Sequence, residues 1–63
     1  KVEEVFKNYP RINLDEDSNK KVSNGCILDN DYDSEYVLFY FEDNLISIYK
    51  SAENKKIKPF IMF

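Results

Sequence analysis

The sequence contains no histidine and no tryptophan, and its 63 residues include one cysteine, one glycine, one methionine and two prolines. Without histidine, Ser-His and Cys-His nucleophilic chemistry has no general base. A zinc site would lack its usual nitrogen and sulfur ligands. One cysteine makes no internal disulfide, whereas small secreted scaffolds carry several, and no Asn-x-Ser/Thr acceptor occurs. A reducing, cytoplasmic setting is the expectation. No apolar run approaches the roughly 18 residues that a membrane helix needs. No charged-apolar-small leader opens the chain, so no secretion signal is expected. The sequence begins at Lys1 rather than Met and reads as a piece of a longer chain.

What is present is enough apolar material to fold. Ile, Leu, Val and Phe make up 19 of the 63 residues, above the level of roughly 20% under which chains stay disordered. A chain this short buries only about 60% of its unfolded surface, so its core is thin. The net charge of −3 hides an uneven distribution. Residues 1–28 are neutral; residues 29–43 hold Asp29, Asp31, Asp33, Glu35, Glu42 and Asp43 with no base; residues 44–63 set Lys50, Lys55, Lys56 and Lys58 against Glu53. A pI near 4.8 argues against a self-sufficient nucleic-acid binder and leaves room for a helper domain with one basic edge.

Val2, Val5, Phe6 and Tyr9 recur at helical spacing ahead of Pro10, which predicts a short helix over 2–8. Arg11-Ile12-Asn13-Leu14 alternates as a brief strand. Asp15-Glu16-Asp17-Ser18 offers capping oxygens and early negative charge for a second helix that ends at Asn24-Gly25. A tight hairpin is the competing outcome for Asn-Gly. Cys26-Ile27-Leu28 is a short apolar strand, and Asp29 to Ser34 a polar loop. Glu35 to Glu42 is the strongest strand, with Val37, Phe39 and Phe41 on one face and Tyr36, Leu38 and Tyr40 on the other. Glu42-Asp43-Asn44 turns the chain into a partner strand from Leu45 to Lys50. A last strand runs from Ile57 to Phe63, where Pro59 indicates an edge or strand end.

Candidate sites are few. Counted from Asp29 or Asp31 as an EF-hand loop, the glycine position holds Ser34 or Tyr36, so a solvated loop is expected and no metal. Asp29 lacks an acid/base partner. Cys26 is expected to be a buried apolar thiol. Most of the ten Phe and Tyr residues must build the core, which leaves one or two of Tyr32, Tyr36, Tyr40 and Tyr49 exposed. Lys20-Lys21 and Lys55-Lys56-x-Lys58 are the basic clusters, and solvated surface is their ordinary role.

The order of the segments says more. Phe6-x-x-x-Pro10, Lys21-Val22-x-Asn24-Gly25-x-x-Leu28, Val37-Leu38-Phe39, Leu45-Ile46-Ser47-Ile48-Tyr49 and Ile57-Lys58-Pro59-Phe60-x-x-Phe63 together resemble the C-terminal domain of bacterial tRNA pseudouridine synthase B. Ser47 stands where that family has Ala, and Ile57 where it has Leu. The resemblance implies a mixed, mainly β fold: a small PUA-like pseudo-barrel of short strands with two short helices. It would occupy residues 1–63 as a single C-terminal domain of a larger enzyme chain. The parent chain would be an isomerase that converts uridine 55 of the tRNA T-loop to pseudouridine without a cofactor, in a catalytic domain upstream of Lys1. Gly25 and Asp29 do not match the spacing of that family's catalytic loop, and Asn30 replaces its Pro, so this segment carries no chemistry. The implied role is auxiliary RNA binding. Lys20, Lys21, Asn24 and Gly25, with Lys58 on the last strand, would hold the acceptor/T-arm duplex, and the acidic stretch 29–43 would face away. The alternative is a small SH3- or OB-like β module that docks a protein partner through its aromatic face.

Overall fold

The computed structural model describes residues 2–63, with side chains from Glu4 onward. The elements are α1 (Val2–Val5), β1 (Arg11–Asn13), α2 (Glu16–Ser23), β2 (Leu28–Asp29), β3 (Tyr36–Phe41), β4 (Asn44–Ala52) and β5 (Lys56–Met62), with a 3₁₀ turn at Glu53–Lys55. The strands form one curled, five-stranded sheet in the order β1-β3-β4-β5-β2, a mainly β architecture compatible with a small pseudo-barrel.

The sheet grows outward from the segment richest in β-formers. Val37, Leu38 and Phe39 are all buried, so both faces of β3 are covered, as its unbroken apolar run predicts. Val37, Phe39, Tyr49 and Ile57 form the main core with Val22, the one buried side chain of α2. Phe39 and Tyr49 meet edge-on, with ring centroids 5.0 Å apart. On the opposite face, α1 and the turn after it bring Phe6 and Tyr9 within 5.0 and 5.1 Å of the Tyr36 ring. The predicted first helix is shorter than its pattern: it stops at Val5, and Lys7 and Asn8 are already in a turn. Val2, which begins that pattern, has its side chain outside the described residues.

Two local contests are resolved. Asp15 caps α2, its Oδ1 accepting from the Ser18 N–H at 2.7 Å. At the other end Gly25 has φ +72°. The Gly25 N–H donates to Val22 O and the Cys26 N–H to Lys21 O, each at 3.0 Å. These two bonds close the helix with a left-handed glycine, so Asn24-Gly25 is a helix stop and no hairpin. The hairpin sits instead at Phe41-Glu42-Asp43-Asn44, where Phe41 and Asn44 pair and the two residues between them both have positive φ.

Bulges then set the remaining register. β3 and β4 slip between Phe39 and Tyr40, and β4 and β5 slip between Ile48 and Tyr49. Pro59 lies inside β5, beside this second slip and past the two residues that pair with β2, so of the two expected positions it takes the edge and not the strand end. The expected strand at Cys26–Leu28 is shifted to Leu28–Asp29. Asp29 thus leaves the predicted loop and pairs with Lys56, backbone to backbone and carboxylate to ammonium.

Candidate nucleic-acid interface

The segment between α2 and β2 is held by three separate anchors. The Gly25 turn ties it to the helix. The buried Tyr49 hydroxyl donates to the Cys26 carbonyl at 2.8 Å. Burial pushes the Tyr49 phenol up to about 12, with the neighbouring Cys26 thiol adding to the effect, so this hydroxyl stays protonated and remains a donor. Gly25 also lies against Pro59: a β carbon placed on it would sit 3.8 Å from Pro59 Cγ. The loop after the helix and the strand that carries Lys58 are therefore neighbours.

Beyond that contact the surface opens into a groove of about 700 Å³ between the loop and the β4–β5 hairpin. Ile27 forms one wall, and Lys50, Lys56 and Lys58 line it with Asn54 and Glu53. Lys56 is engaged by Asp29. Lys50, half-buried, holds its ammonium 5.6 Å from the Phe60 ring and 5.8 Å from the Tyr36 ring. These are cation–π distances, and they point its stem across the sheet face rather than outward. Among the described residues, neither Lys50 nor Lys58 has an acidic partner.

The helical lysines sit differently. Lys20 and Lys21 are both exposed in the last turn of α2, where positive charge complements the helix dipole. Lys21 lines a second cleft, of about 240 Å³, with Asp29, Asp31 and Tyr32. Its charge also contributes to holding the Asp15 carboxyl below its usual range, behind the larger effect of the Ser18 hydrogen bonds. Of the six acids of the stretch expected to face away from RNA, two, Asp29 and Asp31, share this cleft with Lys21. The Asn30 N–H donates to Lys55 O at 2.8 Å, which fastens this stretch to the hairpin and leaves Asp29 and Asp31 beside Lys21. Asn24 is exposed and serves as the helix C-cap. Of the five predicted residues, Gly25 packs against Pro59, the β5 neighbour of Lys58, Lys58 itself lines the groove with Lys50, and Lys20 and Lys21 project from the helix.

Two further expectations change. Cys26 is exposed rather than buried, because β2 begins two residues later. Tyr32, Tyr36 and Tyr40 are half-buried and Tyr49 is fully buried. The open aromatics are instead Phe60 and Phe63, at 50% and 62% exposure, with Phe60 beside the β4–β5 slip. Asn30 supports the acidic loop from within: its amide donates to Ser34 O and its carbonyl accepts from the Tyr32 N–H. Among the described residues no group of three or more metal-ligating side chains converges, and no helix is long and apolar enough to cross a membrane.

Lys50 was not singled out in the sequence, since it closes an apolar strand and nothing local marks it as facing a groove. The signal that finds it is loop length. With three residues in the β4–β5 turn, Lys50 falls opposite Lys58. No family model, curated protein or solved structure matches this chain.

Proposed function

We propose that this chain is an auxiliary RNA-binding module of the PUA-like kind, and that it helps a tRNA pseudouridine synthase hold the acceptor/T-arm duplex while a separate catalytic domain isomerises uridine 55. The observation that carries this reading is the packing of the α2–β2 loop on the strand that carries Lys58, Gly25 against Pro59, with Ile27 of the same loop lining a groove beside Lys50, Lys56 and Lys58. The module contributes no catalytic group. Its part is positional: ammonium groups at the phosphates and a close-approaching glycine backbone give shape-based holding without reading bases. With a net charge of −3 the chain supplies few phosphate contacts, so most affinity in an intact enzyme belongs to its partner domain.

Titration of the chain with an acceptor/T-arm RNA duplex at about 50 and 200 mM salt tests this. Weak binding that fades with salt is the expected result. Lys58→Glu should weaken it further and lower the salt slope by about one. Lys20→Glu with Lys21→Glu should have a smaller effect, because Asp29 and Asp31 already offset Lys21. Binding that ignores both salt and Lys58→Glu would refute the proposal. A second reading has its own observation: Phe60, Met62 and Phe63 are 50%, 45% and 62% exposed at the end of β5, a surface suited to a protein partner. In that case a duplex would bind no better than it does to an uncharged control.

A further inference from the structure

Lys50 of β4 and Lys58 of β5 are direct cross-strand partners. Side chains so placed start about 5 Å apart, and like charges there destabilise a sheet. A surface pair of lysines ordinarily has an acid within reach. Here the nearby acids are otherwise placed: Asp29 holds Lys56, and Glu53 lines the hairpin end of the groove. Among the described residues the pair has no anion of its own. Swinging apart is also restricted for Lys50, whose ammonium rests near the Tyr36 and Phe60 rings. Both side chains nevertheless line the same groove, beside the exposed Ile27.

We infer that the Lys50–Lys58 pair is a seat for one phosphoryl oxyanion, set in the β4–β5 groove and distinct from the helical lysines Lys20 and Lys21. A single tetrahedral anion between the two ammonium groups accepts charge-assisted hydrogen bonds from both and removes their mutual repulsion. A phosphodiester of an RNA strand and free inorganic phosphate share this chemistry. The inference uses the groove of the proposed function but does not require RNA.

Lysine side-chain ¹H–¹⁵N NMR on the chain separates the outcomes, with inorganic phosphate titrated against chloride at constant ionic strength and the RNA duplex titrated in a parallel series. Saturable movement of the Lys50 and Lys58 ammonium signals, with Lys20 unmoved, is the result expected from phosphate. Lys58→Gln should weaken the phosphate response of Lys50 at least fivefold, while Lys58→Arg should keep it. In phosphate-free buffer Lys58→Gln should also melt higher than the parent chain, since one of two opposed charges is gone. If phosphate moves the pair and RNA does not, the seat stands as a free-phosphate site and the RNA role fails. If RNA alone moves the pair, the seat takes a phosphodiester and both stand. If RNA moves Lys20 and Lys21 while neither titrant moves the pair, the seat is overturned and the RNA role survives. No response of the pair to either titrant overturns it in every case.

Discussion

Replacing Tyr49 with Phe removes one oxygen atom and tests how the α2–β2 loop is held. The Tyr49 ring is fully buried and packs edge-on against Phe39 at 5.0 Å, so Phe keeps the packing and loses only the hydroxyl bond to the Cys26 carbonyl. A neutral bond of this kind contributes about 1 kcal/mol net. Cys26 is exposed, so water can reach its freed carbonyl and no further burial penalty is added. For a domain of this size about 1 kcal/mol corresponds to a fall in Tm of roughly 5 °C, readable by circular dichroism at pH 7. The same bond predicts a pH signature. Folding pushes the phenol up to about 12, against about 10 in an unfolded chain. A group whose pKa rises on folding adds stability below its unfolded value and loses it as pH climbs toward the folded one. The gap in stability between the parent chain and the Tyr49→Phe variant should therefore be constant up to about pH 10, then narrow and change sign before about pH 12. Faster amide exchange at Ile27 in the variant would report the loosened loop. Equal melting of the two chains at pH 7, or a gap that does not narrow, refutes the reasoning.

Gly25→Ala should lower stability by about 1 kcal/mol through the backbone alone: φ is +72° and the added methyl meets only Pro59 Cγ at 3.8 Å, so urea melts should shift with no sign of rearranged packing. Glu42 and Asp43 adopt φ of 50° and 65° in a two-residue hairpin turn. Glu42→Asn with Asp43→Gly, the pair such turns favour, should raise stability by about 1 kcal/mol and Tm by a few degrees. The Asp15 carboxyl is held below its usual range, first by hydrogen bonds from Ser18. Its contribution to α2 is present above the unfolded pKa and is lost as pH falls through the depressed folded one. Asp15→Asn keeps a capping oxygen and should remove that part of the acid dependence, seen as a flatter helical signal below about pH 4.

The strands of the C-terminal half were legible because each shows its own evidence: alternation on β3, an apolar run on β4, and turn residues between them. The end of α2 was legible from Gly25 alone, since a left-handed stop leaves few other residues a place. The groove was not legible, and the reason is register. Lys50 faces Lys58 only because residues 53–55 make a three-residue turn with Asn54 and Lys55 at positive φ. A turn one residue shorter would put Ile57 opposite Lys50, with no change in hydrophobic pattern. Phe60 likewise lies beside a slip that no period-2 count contains. The Asp29–Lys56 pair joins residues far apart in sequence, so charge bookkeeping along the chain did not show that Asp29 and Asp31 share a cleft with Lys21.

The sheet is stitched from two kinds of strand. β3, β4 and β5 follow one another and pair as consecutive neighbours, while β1 and β2 reach the two outer margins from the first half of the chain, with three and two residues each. Contacts between sequence neighbours close early in folding, and distant ones close late. Short outer strands are also the first to open. Val22 ties the region from β1 to β2 to the meander, since it shares the core of Val37, Phe39, Tyr49 and Ile57. The Lys50–Lys58 pair lies wholly within the meander. Its spacing is therefore set by β4 and β5 alone, whereas the placement of Lys20 and Lys21 depends on how α2 is seated.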